Sequence, residues 1–109
     1  MDDTGYRVVL ATVGSPEEAR AIADALVEKR LAGCVSRLPG LSSVYRWQGR
    51  IERAEETLLV IKTSYARVDE VVRQVREMSS YSVPEVIALA VVSGNPDYLA
   101  WLGGEVSLP

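Results

Sequence analysis

Three segments of the chain are almost entirely apolar and rich in β-branched residues. They are residues 6–13, 57–63 and 86–92, which read YRVVLATV, TLLVIKT and VIALAVV. An alternating apolar and polar pattern would predict a strand with one wet face, whereas a short, uninterrupted apolar run favours a strand that is buried on both faces. We therefore predict three strands covered on both sides.

Between these strands lie two segments with the 3.6-residue periodicity of amphipathic helices. The first helix is predicted to begin at Ser15, with Pro16 in its first turn and Glu18 completing a capping box, and to end at Gly33 in the left-handed conformation. The second is predicted over residues 64–78, and its apolar stripe consists of Val68, Val71, Val72, Val75 and Met78. A short third helix is predicted over residues 97–102, after an Asn-Pro cap.

A long β-hairpin is predicted between the first helix and the strand at residues 57–63. Residues 34–38 form a strand that Pro39 and Gly40 bend, and residues 41–47 continue the extended structure. Gln48 and Gly49 form a tight turn, from which residues 50–53 return. The order of elements predicts an α+β fold, a ferredoxin-like β-α-β-β-α-β plait with a long β-hairpin and a short C-terminal helix, as one domain over residues 1–109.

In such a plait both main helices cover the same face of the sheet, which leaves the other face open. The predicted strands are apolar on that face too, and the short third helix is too small to cover it. Another copy of the same chain is the simplest cover. We therefore predict a symmetric oligomer.

The composition excludes several classes of function. The chain has a net charge of -3 and no basic run longer than a pair, so we expect no nucleic-acid partner. It contains one cysteine and no histidine, which excludes an intrachain disulfide and every mechanism that needs a histidine base. No apolar stretch reaches membrane-spanning length, and the N-terminus is acidic. We expect a cytoplasmic protein that is not an enzyme.

A few side chains are candidates for chemistry, and each also has a structural interpretation. Cys34 is either a thiolate ligand or, as we favour, a buried packing residue. The hairpin acids Glu52, Glu55 and Glu56 alternate with arginines, which favours a solvated, salt-paired surface over a calcium site. Four aromatic residues could stack on a planar ligand, but anchoring an interface is the favoured role: Tyr45, Trp47, Tyr81 and Trp101.

Several motifs together resemble the CutA family of divalent-cation tolerance proteins. They read LAGCV at residues 31–35, PGLSSVYRWQG at 39–49, YSVPEVIA at 81–88 and GNPDYLAWL at 94–102. The resemblance extends from Tyr6 to Leu102. It implies the ferredoxin-like plait assembled as a homotrimer, in which Tyr45, Trp47, Tyr81 and Trp101 lie at a subunit interface or in a cleft between subunits.

The resemblance also implies a role in the response to metal ions such as copper. The family's cysteine corresponds to Cys34 and its motif glutamate to Glu85, which makes these two residues the metal-ligand candidates. Ser79 stands where the family has a histidine, and Ser82 stands where it has a carboxylate. We therefore expect no required cofactor and at most a weakly bound divalent cation. The alternative function is a trimeric module that binds a small molecule or a partner, like the similarly folded PII signalling proteins.

Overall fold

The computed structural model, which describes residues 3–107, contains four strands and three α-helices in the predicted order. The strands are β1 (Tyr6–Val13), β2 (Cys34–Trp47), β3 (Arg50–Ser64) and β4 (Val86–Val91), and the helices are α1 (Pro16–Glu28), α2 (Val68–Met78) and α3 (Pro96–Val106). All strand pairs are antiparallel and the sheet order is β2-β3-β1-β4. The predicted β-α-β-β-α-β plait is thereby confirmed.

Helices α1 and α2 cover one face of the sheet and form the core with it. The apolar stripe of α1, which includes Ile22 and Leu26, and that of α2, which includes Val71 and Val75, pack on fully buried strand residues. Those strand residues are Val9, Ala11, Val13, Leu59 and Ile61. The stripes predicted from the 3.6-residue periodicity therefore face the sheet, as expected of amphipathic helices.

The opposite side of the sheet, which we call the open face, carries the alternate residues of the same strands. Leu10 of β1 lies opposite Val60 of β3 and Ile87 of β4, so these three side chains share this face. Ile87 and the neighbouring Leu89 are 51% and 50% exposed. Helix α3 covers only one end of the open face, where its Gly103 approaches the Tyr6 ring. Much of the predicted second apolar face therefore remains uncovered in a single chain.

The hairpin and α3 are longer than the sequence predicts. Strand β2 continues through Pro39 and Gly40 with only a shift of register between Leu38 and Leu41, and β3 runs without the predicted break at residues 54–56. Strands β2 and β3 stay extended because they pair with each other on both sides of this register shift. Helix α3 ends at Val106 instead of residue 102, and Val106 is buried.

At the end of α1, the left-handed conformation belongs to a different residue from the predicted Gly33. Arg30, with φ 60°, occupies that position, and the N–H groups of Arg30 and Leu31 bond to the carbonyls of Val27 and Leu26. This is the Schellman arrangement. Gly33 has a different role, because a Cβ at this position would lie 2.6 Å from Leu102 Cδ1 of α3. The glycine allows close packing of α3.

The second helix also begins later than predicted. A single 3-10 turn, Tyr65–Arg67, precedes α2, and the buried Arg67 donates from its Nε to the carbonyl of Val106. Within residues 3–107 no helix is long and apolar enough to cross a membrane.

Candidate functional site

A cleft of ≈ 520 Å³ lies between the hairpin and the loop that leads into β4. Its lining includes Tyr45, Trp47, Tyr81 and Glu85, four of the six residues predicted to form a site or an interface. Tyr45 and Trp47 are two positions apart on β2 and therefore project to the same side of the strand. Ser82 also lines the cleft.

The loop after α2, which carries Tyr81, is held by the Glu18 side chain. Glu18 Oε1 accepts from the Ser80 N–H at 2.9 Å, and Glu18 Oε2 accepts from the Gly14 N–H at 3.2 Å. The predicted cap is present as well, since the Ser15 hydroxyl accepts from the Glu18 N–H at 3.2 Å. One carboxylate thus joins the start of α1 to the wall of the cleft.

Glu56 also lines the cleft, in an environment that differs from the predicted one. It is only 8% exposed, and its Oε2 accepts a hydrogen bond of 2.8 Å from the Tyr81 hydroxyl. Burial, and then the hydrogen bond to the Glu56 carboxylate, raise the pKa of Tyr81 from 10.0 to about 12. The interpretation of Glu56 as a solvated hairpin acid is therefore wrong.

The reason for this error is the extent of β3. Because β3 is continuous, Glu56 follows the two-residue period of Leu58 and Val60 and projects into the sheet's open side, where it lines the cleft. The expected salt pairing of the hairpin is also wrong. Within residues 3–107, no ion pair involves Glu52, Glu55, Arg50 or Arg53.

Cys34 lies outside the cleft and outside the core. It is paired with Lys62, which shares the open face, and Lys62 Nζ lies 3.7 Å from Cys34 Sγ and 2.6 Å from Ser36 Oγ. Burial, and then the neighbouring Cys34, raise the pKa of Tyr98 on α3. The favoured interpretation of Cys34 as a core residue is therefore wrong, because Cys34 lies on the open face and the next residue, Val35, is the one that packs against the core.

Two other predicted residues also lie apart from the cleft. Trp101 is on α3, where its ring packs against Tyr98 with ring centroids 5.5 Å apart. Ser79, which precedes the cleft loop, uses its hydroxyl to accept from the Tyr81 N–H at 3.1 Å. That hydroxyl therefore shapes the loop that positions Tyr81.

The two metal-ligand candidates are far from each other in one chain. Cys34 begins β2 and Glu85 immediately precedes β4, and these strands are the two edges of the sheet. Strands β2 and β4 are three strand spacings apart, which is about 14 Å across the sheet. Among residues 3–107, no three side chains of the His, Cys, Asp or Glu type gather in a way that could hold a metal ion.

Comparison with known proteins identifies the family. The model of the CutA1 divalent ion tolerance protein family matches residues 7–105. The divalent-cation tolerance protein CutA of Thermus thermophilus is 50% identical over 87% of this chain and 92% of its own length. The mouse protein CutA is 47% identical over 87% of this chain, which spans 55% of that longer relative.

A crystal structure of CutA from Xylella fastidiosa agrees with the fold. It superimposes with a TM-score of 0.93 at 38% identity, over 95% of this chain and 100% of that one. The motifs at residues 39–49 and 81–88 and these similarities all lead to one conclusion. The chain belongs to the CutA1 family of divalent ion tolerance proteins.

Proposed function

We propose that this chain acts in divalent-cation tolerance as a homotrimer that binds ions such as copper weakly. The observation that carries the proposal is the open face, where Ile87 and Leu89 are about half exposed beside the apolar residues of β1. A contiguous apolar surface of this kind is typical of an interface between subunits. A trimer would cover it and would bring copies of the cleft next to a neighbouring chain.

The proposed role is not enzymatic and needs no cofactor. The chain has no histidine, and its one thiol lies outside the cleft beside an ammonium group. The separation of Cys34 from Glu85 favours weak metal binding, because a tight copper or zinc site needs three or four ligands around one ion. The proposal places the protein in the cytoplasm, with further copies of itself as its main partner and neither nucleic acid nor membrane as a target.

Light scattering or sedimentation tests the assembly. We expect a mass three times the 11.9 kDa of the chain down to low micromolar concentration. Leu89→Glu on the open face should dissociate the trimer, since it places a charge in the interface. Val27→Glu on α1, at a position that is 44% exposed but lies in the helical layer, is the matched control and should stay trimeric. A monomeric native chain at that concentration would overturn the proposal.

A second candidate function is a trimeric module that binds a small molecule. The cleft supports it, because a volume of ≈ 520 Å³ lined by aromatic rings and a few polar groups has the size and character of small-molecule sites.

A further inference from the structure

We infer that the cleft beside the hairpin is completed by an arginine from a neighbouring copy of this chain. In each subunit the carboxylate of Glu56, which lines the cleft, pairs with Arg50 of the neighbouring subunit. The inference rests on the proposed homotrimer and deepens it, because it names the residue that each copy contributes to the cleft of the next.

The first argument is that Glu56 uses only half of its carboxylate within its own chain. Its Oε2 accepts from the Tyr81 hydroxyl, and no donor among residues 3–107 is bonded to its other oxygen. That oxygen is not sealed in the protein, since no buried side-chain oxygen or nitrogen in this part of the chain lacks a partner. It therefore opens into the cleft. A subunit that covers the cleft removes the water from this oxygen, and a buried charge without a counter-ion is strongly destabilising, so the covering subunit has to bring a cation.

The second argument is that the chain itself supplies no cation to the cleft. The lining contains two carboxylates, Glu56 and Glu85, and no lysine or arginine. Lys62 lies on the same side of β3, but its Nζ donates to Ser36 Oγ at 2.6 Å and it is not part of the lining. The charge that complements Glu56 therefore comes from outside its own chain.

The third argument is the side of the hairpin on which Arg50 lies. Arg50 is exposed and is paired with Trp47, and residues directly opposite each other share one face of a sheet. Because Trp47 lines the cleft, Arg50 projects to the cleft side of the hairpin. Side chains alternate along a strand, so Arg46 and Arg53 project to the other side. Arg50 is thus the arginine near the turn that faces the same way as the open face.

Arg50 and Glu56 cannot pair with each other within one chain. They are six positions apart on the extended strand β3, which separates them by about 20 Å, more than their side chains span. Strand β1 pairs with β3 only from Thr57 onward, so the turn end of the hairpin projects beyond β1. In a ring of identical copies, one patch of each copy meets a different patch of the next. The projecting end of one hairpin can therefore place its Arg50 at the Glu56 of the next copy in all three interfaces.

A double-mutant cycle on the trimer tests this pair. Dissociation on dilution is followed by sedimentation, at constant ionic strength, for the native chain, Arg50→Gln, Glu56→Gln and the double variant. Glu56→Gln keeps an acceptor for Tyr81. We expect each single substitution to weaken each contact between subunits about tenfold, as the loss of a charge-assisted hydrogen bond would give. The double variant should be no weaker than the weaker of the two single variants, because the second substitution has no pair left to break.

Arg53→Gln is the matched control, because it removes the same charge from the opposite side of the same hairpin. It should dissociate like the native protein, and adding it to Glu56→Gln should change nothing further. A trimer in which the losses from Arg50→Gln and Glu56→Gln multiply in the double variant would overturn the inference and leave the trimer standing. Native-like association of either single variant would do the same. A monomeric native chain would overturn both the inference and the trimer.

Discussion

The Tyr81 hydroxyl donates a 2.8 Å hydrogen bond to Glu56 Oε2, and this contact joins the loop after α2 to the middle of β3. The two residues are 25 positions apart in the chain. Because Glu56 is buried, the hydroxyl is the protein group that stabilises its charge. The contact also fixes the Tyr81 ring as one wall of the cleft.

The first prediction is that Tyr81→Phe lowers the free energy of unfolding by about 1.5–3 kcal/mol, the usual contribution of a hydrogen bond to a charged group. The loss arises because the Glu56 carboxylate stays buried without its donor. Urea denaturation measures the change. Tyr65→Phe is the matched control, because the Tyr65 ring is exposed, and it should change stability by less than about 0.5 kcal/mol. Equal effects of the two substitutions would contradict this account.

The second prediction concerns alkaline pH. The pKa of Tyr81 is raised in the folded protein from 10.0 to about 12, so the folded state favours the protonated phenol. The stability that this preference contributes is fully present below pH 10 and is lost as the pH rises through about 12. Of the five tyrosines, Tyr81 should therefore ionise late in an ultraviolet titration.

The pKa of Tyr98 is raised as well, so Tyr81 has to be identified by difference. Subtracting the titration of Tyr81→Phe from that of the native protein should isolate a step near pH 12. A difference step near pH 10 would show that the Glu56 contact is not formed in solution.

The third prediction compares two glycines whose surroundings differ. Gly33→Ala should destabilise the protein by about 1–3 kcal/mol, because its Cβ would lie 2.6 Å from the buried Leu102 Cδ1 and force α3 to shift. Gly104→Ala, in α3 with nothing within 4 Å of the new Cβ, should instead stabilise by about 0.5–1 kcal/mol through helix propensity. Thermal unfolding of both variants measures the difference, and the same sign for both would contradict the packing explanation.

The sequence predicted those features that depend on neighbours along the chain. The Ser15 cap needs only the N–H three residues later, and the stripe of α2 needs only its own periodicity, so both were correct. These local patterns suffice for the order of elements and hence for the fold.

The errors concern contacts between distant segments. Glu56 looked like one of several hairpin acids, because nothing near it in sequence indicates that Tyr81 lies opposite. Gly33 looked like a helix cap, because its close approach to Leu102 is decided by the packing of α3. Cys34 looked buried because cysteines usually are, while its actual side of the sheet depends on the register with Lys62.

The fourth prediction is that Trp47 anchors the trimer. Its side chain is exposed in the single chain, on a hairpin that also exposes Val44, Tyr45 and Ile51, and several exposed apolar side chains together indicate an interaction surface. Trp47→Ala should weaken the trimer by a few kcal/mol, as truncation of a buried interface aromatic does. Dilution followed by light scattering measures this, with Tyr65→Ala as the exposed aromatic control. If the trimer of the Trp47 variant survives dilution unchanged, Trp47 lies outside the interface.

The fifth prediction is that copper(II) and zinc bind with micromolar affinity or weaker. Cys34 and Glu85 lie on opposite edges of the sheet, and a serine hydroxyl at position 79 or 82 is a poor ligand for either ion. Symmetry could gather copies of one residue only near the trimer axis. Calorimetry on the native chain and on Cys34→Ser, in a buffer that does not chelate metals, should give weak heats that salt suppresses. A nanomolar site of fixed stoichiometry would contradict the prediction, and its loss in Cys34→Ser would identify the thiolate as the ligand.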